Sequence, residues 1–274
     1  MRFLFLKNNI VPFLNWAGGK RWFVKKHGCL FPKEFNRYIE PFLGSGSVYF
    51  YLQPEKALLG DMNSDLISAY VGIQKNHIKI TKLLKEYQKK HSDEYYYAIR
   101  KTIFTDPVEQ AARFIYLNRT CFNGIYRVNL KGEFNVPRGT KNSVILSTDD
   151  FGSLASLLKN ANVITADFEE LIDQAMQGDL VFADPPYTVR HNNNGFIKYN
   201  EKLFSWDDQV RLSKALTRAR KRGAKILSTN ANHESVRELY SSEVFHLETV
   251  SRYSSISAKN SGRNQFEELI IQAI

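Results

Sequence analysis

Asp184-Pro185-Pro186-Tyr187 is the stretch of this chain best equipped for chemistry. It follows Leu180-Val181-Phe182-Ala183, an apolar run that reads as a buried strand of a parallel sheet. Asp184 then stands where the strand ends, and ligands of open α/β sheets bind beyond the carboxyl ends of strands. Two prolines make the next turn rigid and remove its N–H donors, which leaves the carbonyls of Asp184 and Pro185 to accept hydrogen bonds from a ligand. Tyr187 adds an aromatic face beside them. A carboxylate, a fixed carbonyl and a ring together suit a flat amine, such as the amino group of a nucleobase. The plainer reading is a strand-capping aspartate before a proline turn. At average composition this tetrapeptide arises by chance in roughly one chain in a thousand of this length.

Such a site needs a sheet to carry it. Arg37-Tyr38-Ile39-Glu40 reads as a strand, followed by Pro41-Phe42-Leu43-Gly44-Ser45-Gly46-Ser47 and a helix running through Val48, Phe50 and Leu52. Strand, glycine loop and helix open Rossmann-like sheets, where the glycines admit a ligand to the helix N-terminus. A second strand, Ala57-Leu58-Leu59-Gly60, ends in Asp61, placed where an acidic residue binds ribose hydroxyls. The spacing is not GxGxxG, which points to a nucleoside-bearing cofactor other than a dinucleotide. Asn63 or Ser64 caps the next helix, Asp65 to Ile73. Upstream, the paired glycines of Trp16-Ala17-Gly18-Gly19-Lys20 lead into another helix; alone they are no more than a turn.

The α/β alternation stops over residues 77–118, which read as mostly helical and suggest an insertion. Its end, from Asn118 to Pro137, holds Asn-Gly and Lys-Gly turns between short apolar segments, the pattern of a hairpin. Arg119, Arg127, Lys131, Arg138 and Lys141 alternate there with Phe122, Tyr126 and Phe134, and Asn123 and Asn135 add amides. Base edges and phosphates are contacted by such a set; a polar surface hairpin is the plainer alternative. The sheet resumes with Val163–Phe168, Leu180–Ala183, Ala224–Ser228 and a strand pair over 244–250 and 266–273. Residues 188–195 form a loop placed to cover a site, and 252–264 a second loop for backbone contacts. A helix capped at Ser205 carries Arg211, Lys214, Arg218, Arg220, Lys221 and Arg222, a solvated face first and a phosphate contact second.

The 274 residues suffice for one large domain or one domain with an insertion. A net charge of +10 favours a polyanionic partner. Cys29 and Cys121 lie in no spaced motif, so the reading is reduced thiols in the cytoplasm. The scattered histidines argue against zinc, and no metal site is expected. Lys7 cuts the apolar start too early for a signal peptide, and no stretch has membrane-spanning length.

Taken in order, WAGGK, EPFLGSG, Asp61 in GDMNSDL, LNRTCFNG with YRVN and KGEFNVP, and then ADPPY resemble the Dam-type DNA adenine-N6 methyltransferases over nearly the whole chain. The resemblance implies an α/β, Rossmann-like, seven-stranded methyltransferase sheet formed by residues 1–74 and 145–274. It also implies an inserted, mainly helical DNA-recognition subdomain over 75–144 that contains the β-hairpin. S-adenosyl-L-methionine is the implied cofactor, double-stranded DNA the substrate, and a restriction endonuclease acting on the same site a further partner. Residue by residue, it assigns cofactor contacts to Trp16, Lys20, Phe42, Gly44, Gly46, Asp61, Asp167, Phe168 and Asp184. Asp184, Pro185, Pro186 and Tyr187 form the catalytic motif that holds the target adenine. Phe122, Asn123, Ile125, Arg127 and Pro137 align with positions that intercalate into or read GATC, with Arg119, Asn135 and Arg138 as further DNA contacts. One departure stands out: Thr140 occupies the place where members reading GATC carry arginine. Methylation of cytosine N4 or of RNA adenine, and a catalytically silent DNA-binding regulator, remain the alternatives.

Overall fold

The computed structural model describes residues 10–129, 132–188, 204–253 and 265–274. Lys131, the expected covering loop from Val189 onward and the loop over 254–264 lie outside the described residues. A seven-stranded sheet with the order β3-β2-β1-β4-β5-β7-β6 carries the fold, as the α/β reading expects. Its strands are β1 (Tyr38–Glu40), β2 (Ala57–Asp61), β3 (Ala161–Thr165), β4 (Leu180–Ala183), β5 (Lys225–Ala231), β6 (His246–Tyr253) and β7 (Gln265–Ala273). Strand order reverses at β1 and β4, where diverging connections open the crevice used by ligands of such sheets.

Two compact units make up the chain: Met1–Cys29 with Leu43–Thr165, and Leu30–Phe42 with Ala166–Ile274. In the second, β4 pairs in parallel with β1 and β5, and β7 runs antiparallel between β5 and β6. Every residue of β1 and β4 is buried, which explains why β4 reads as an unbroken apolar run and not as alternation. Helix α8 (Trp206–Lys221) starts from a capping box made by Ser205 and Asp208, at the expected residue. Its arginines serve the fold: Arg211 pairs with Asp167, Asp208 and Glu169, and Arg218 with Glu169 and Asp173. Hydrogen bonds from Arg218 and Arg211 hold the Glu169 carboxyl below its usual range.

In the first unit β2 and β3 pair in parallel. Helix α1 spans Arg21–His27 and α2 spans Ser47–Leu52. Helix α3 runs from Ser64 to Lys90 and is capped by Asn63, whose Oδ1 accepts from the Leu66 amide at 3.0 Å. The expected boundary at residues 74 and 75 falls inside this helix, beside Asn76 with its non-helical φ of −139°. Helices α4 (Asp93–Lys101), α5 (Pro107–Thr120) and α6 (Phe151–Leu158) follow. The C-terminal half of α5 is buried on every side from Phe114 to Thr120, so its polar residues must find partners inside the protein.

Candidate functional site

The glycine loop after β1 is braced from several directions within the first unit. Gly44 and Gly46 adopt φ of +47° and +64°, a left-handed backbone that favours glycine. A Cβ on Gly44 would lie 2.7 Å from Trp16 Cδ1, and one on Gly46 2.8 Å from the Tyr70 hydroxyl. Neither position can carry a side chain without displacing a ring. The Tyr70 hydroxyl donates to the Gly44 carbonyl at 3.0 Å, and the Gly44 amide donates to Asp61 Oδ2 at 3.1 Å. Asp61 Oδ1 accepts from the Asn63 amide at 3.0 Å. Burial pushes the Asp61 carboxyl up, opposed by these two backbone hydrogen bonds. A carboxylate offers about four lone-pair sites. Two are used here, so Asp61 retains capacity for a pair of hydroxyls. Lys20, at the N-cap of α1, is buried.

The expected hairpin is present and closes on its own backbone. The Asn129 amide donates to the Glu133 carbonyl at 2.9 Å and the Asn135 amide to the Arg127 carbonyl at 3.3 Å, with Val128 bridging Phe134. On the far arm Gly132, at φ +79°, donates its amide to the Asn129 carbonyl at 3.0 Å. Asn123-Gly124 belongs to a short 3-10 turn off the end of α5, with Asn123 at φ +56°. At its root the Phe122 amide donates to the Pro137 carbonyl at 2.9 Å. Phe122 is 53 % exposed, and Asn123, Arg127, Asn135 and Pro137 are exposed with it, while Ile125 is half-buried. Arg127 donates from Nε to Asn135 Oδ1 at 3.2 Å. Its remaining guanidinium nitrogens have no protein partner among the described residues. Tyr126 stacks on Trp16 with ring centroids 6.0 Å apart and donates its hydroxyl to Asp65.

Of the arginines expected at the DNA surface, Arg119 is buried inside the protein and Arg138 is half-buried. Arg119 is 1 % exposed, paired with both oxygens of Asp149 at 2.6 and 2.7 Å and donating to the carbonyls of Phe13 and Val144. Its guanidinium is saturated inside the protein and has nothing left for a phosphate. Arg138 donates from Nη2 to Asn142 Oδ1 at 2.5 Å and pairs through Nη1 with Asp93 at 2.8 Å. It ties α4 to the hairpin exit. Asn118, unassigned in the sequence reading, is wholly buried and exchanges two 2.8 Å hydrogen bonds with the Asn15 backbone. Helical periodicity pointed to the burial of α5, but not to the partners.

In the second unit Asp184 stands at the end of β4, with Pro185 buried behind it and Pro186 and Tyr187 half-buried. Asp184 Oδ1 accepts from Thr229 Oγ1 at 2.7 Å, and the Tyr187 hydroxyl donates to Glu268 Oε2 at 3.0 Å. Phe42, Phe168 and Phe204 form a ring cluster with centroids 5.4 to 5.5 Å apart. Phe168 is 3 % exposed and lies under the Arg211 guanidinium, so it is an inner wall of that cluster. Half-buried Phe42 offers the more accessible ring. Asp167 caps helix α7 (Phe168–Ile172), and its Oδ1 accepts from both the Glu169 amide and Arg211. Thr229 and Glu268 went unnoticed in the sequence; the signal was the polar Ser-Thr-Asn close of β5 and an acidic residue within a terminal strand.

Comparison with known proteins bears on the same residues. A family model described as D12 class N6 adenine-specific DNA methyltransferase matches residues 16–256. The type II methyltransferase M1.LlaDCHI of Lactococcus lactis is 35 % identical, over 97 % of this chain and 96 % of its own length. A DNA adenine methylase of Haemophilus influenzae is 32 % identical, over 94 % and 92 %. The DNA N-6-adenine-methyltransferase of Escherichia phage P1 is 35 % identical over 93 % of this chain, which spans 34 % of that longer protein. With the match spanning the glycine loop, the hairpin and the Asp-Pro-Pro-Tyr turn alike, the chain belongs to the D12 class of N6 adenine-specific DNA methyltransferases.

Proposed function

We propose that this enzyme transfers a methyl group from S-adenosylmethionine to N6 of an adenine turned out of duplex DNA, within GATC. The observation that carries the reading is Asp184, held by Thr229 at the strand end where the sheet order reverses, with an anchored Tyr187 three residues on. The N6 lone pair is delocalised into the adenine ring and is a poor nucleophile. Accepting its two N–H groups on the Asp184 carboxylate and the Pro185 carbonyl favours the pyramidal nitrogen that develops during attack. This is stabilisation by acceptors already in place, which need no reorganisation as charge develops. Stacking on Tyr187 offsets part of the cost of taking the base out of the helix. Bound S-adenosylmethionine supplies an electrophilic methyl on a sulfonium.

The residues fit that cofactor. Asp61, with two acceptor sites in hand, takes the ribose hydroxyls, and the Gly44–Gly46 loop and Trp16 border the methionine moiety. Asp61→Ala is expected to weaken S-adenosylmethionine binding on the order of ten- to hundredfold by calorimetry, the worth of hydrogen bonds to a charged acceptor. An unchanged dissociation constant would reduce Asp61 to a brace for the Gly44 and Asn63 amides.

On the DNA side, Phe122 and Asn123 present a ring and an amide for insertion, and Arg127 reads guanine O6 and N7 with its two terminal nitrogens. We expect Arg127→Ala to relax discrimination between the cognate duplex and single-base variants by about 1–3 kcal/mol. Methylation rates on matched duplexes measure this; equal slowing on all of them would make Arg127 a backbone contact. The proposal as a whole is tested by expressing the enzyme in a methylation-free host and sequencing the modified bases. N6-methyladenine confined to GATC supports it, whereas N4-methylcytosine or modified RNA alone overturns it. An endonuclease cutting the same site is the partner that fits such a specificity.

A further inference from the structure

Two buried polar side chains reach the Asp-Pro-Pro-Tyr turn from neighbouring strands, and neither belongs to its motif. Thr229 and Glu268 are 0 % and 2 % exposed. Thr229 lies on β5, parallel to β4 with Ala183 opposite Ser228, and Glu268 on β7, opposite Ala231 of β5. Both therefore arrive on rigid sheet and not on loops.

We propose that Thr229 and Glu268 are positioning residues for methyl transfer, Thr229 fixing the carboxylate plane of Asp184 and Glu268 fixing the axis of the Tyr187 ring. This rests on the reading above, in which Asp184 and Tyr187 hold the target adenine. The torsion that rotates an aspartate carboxylate is broad, so the side chain does not orient its own acceptors. A donor at 2.7 Å on Oδ1 does. The donor is a β-branched residue whose own χ1 is stiff, and a hydrogen bond to a charged acceptor is among the stronger kinds. Tyr187 raises a parallel question. Stacking uses the face of a ring and has no need of a hydroxyl, yet this hydroxyl meets a carboxylate that is costly to bury. Tethering the para position holds the ring axis at both ends, which keeps the ring in one place beside a base. Neighbouring Asn230 and Gln209 extend the same polar layer through a 2.9 Å hydrogen bond, with Gln209 reaching Thr188 at 3.3 Å.

The test compares kcat and KM for the full-length enzyme on cognate duplex. Thr229→Val keeps the shape and removes the hydroxyl; we expect kcat to fall on the order of ten- to hundredfold with both KM values within about twofold. Thr229→Ser, which restores the hydroxyl, returns kcat to within about threefold of wild type. Tyr187→Phe, Glu268→Met and the double variant slow the reaction to the same extent, because each breaks one tether. In all three, 2-aminopurine at the target position changes its emission by the same amount. A Thr229→Val enzyme with wild-type kcat beside an inactive Asp184→Ala overturns the proposal alone, as does a serine variant no better than the valine one. Additive losses in the Tyr187/Glu268 double variant also overturn it. An Asp184→Ala enzyme that stays active removes the underlying reading and the proposal with it.

Discussion

Asp184→Ala abolishes methyl transfer while the protein stays folded: that is the largest effect expected of any single substitution in this chain. The side chain is half-buried at a strand end, where it accepts from the Thr229 hydroxyl. What disappears is the acceptor proposed for the reacting amine. By analogy with removal of a single preorganised donor, the loss is about 2.7–4 kcal/mol of transition-state stabilisation, or roughly a hundred- to thousandfold in kcat. Transfer of a labelled methyl to plasmid DNA measures it, with circular dichroism as the check on folding. Turnover within tenfold of wild type would remove Asp184 from the catalytic assignment.

The second large effect concerns stability. Arg119→Ala leaves the Asp149 carboxylate, itself only 7 % exposed, without its partner and two backbone carbonyls without their donor. Breaking a buried pair from one side costs about 3–5 kcal/mol. Removing both charges together, as in Arg119→Met with Asp149→Leu, is expected to recover most of that loss, because an apolar pair carries no unpaired charge. Urea unfolding of the two variants decides the matter. If Arg119→Ala unfolds at the wild-type midpoint and only DNA affinity drops, the residue is a DNA contact after all.

The contrast between Asp184 and Arg119 shows what the sequence can and cannot tell. The strand before Asp184 was legible because four consecutive buried residues produce an apolar run, and because two prolines announce a rigid turn. Asn63 and Ser205 were legible as caps because capping is local, within three residues of its target. Arg119 and Arg138 read as DNA contacts because arginine in a basic, aromatic segment looks the same whether it faces solvent or an aspartate 30 residues later. Composition reports charge, not the direction in which it points. Thr229 and Glu268 lie 45 and 81 residues from the side chains they hold, a separation at which no periodicity carries information. The arginine-rich tail of α8 reads first as a solvated face, whereas Arg218 pairs there with Glu169 and Asp173, acidic partners that no local pattern announces.

The closed backbone of the hairpin has a consequence for retargeting. Its two arms are joined to each other by their own hydrogen bonds, and the Gly139 amide fastens its exit to the Thr120 carbonyl at 2.8 Å. Asn118 and Arg119, which fasten its base, spend their polar groups on the protein. Foundation and reading head are thus chemically separate, although they are adjacent in sequence. On the proposed reading, exchanging residues 122–137 for those of a reader of another sequence is expected to change which letters are spelled out without disturbing the masonry beneath.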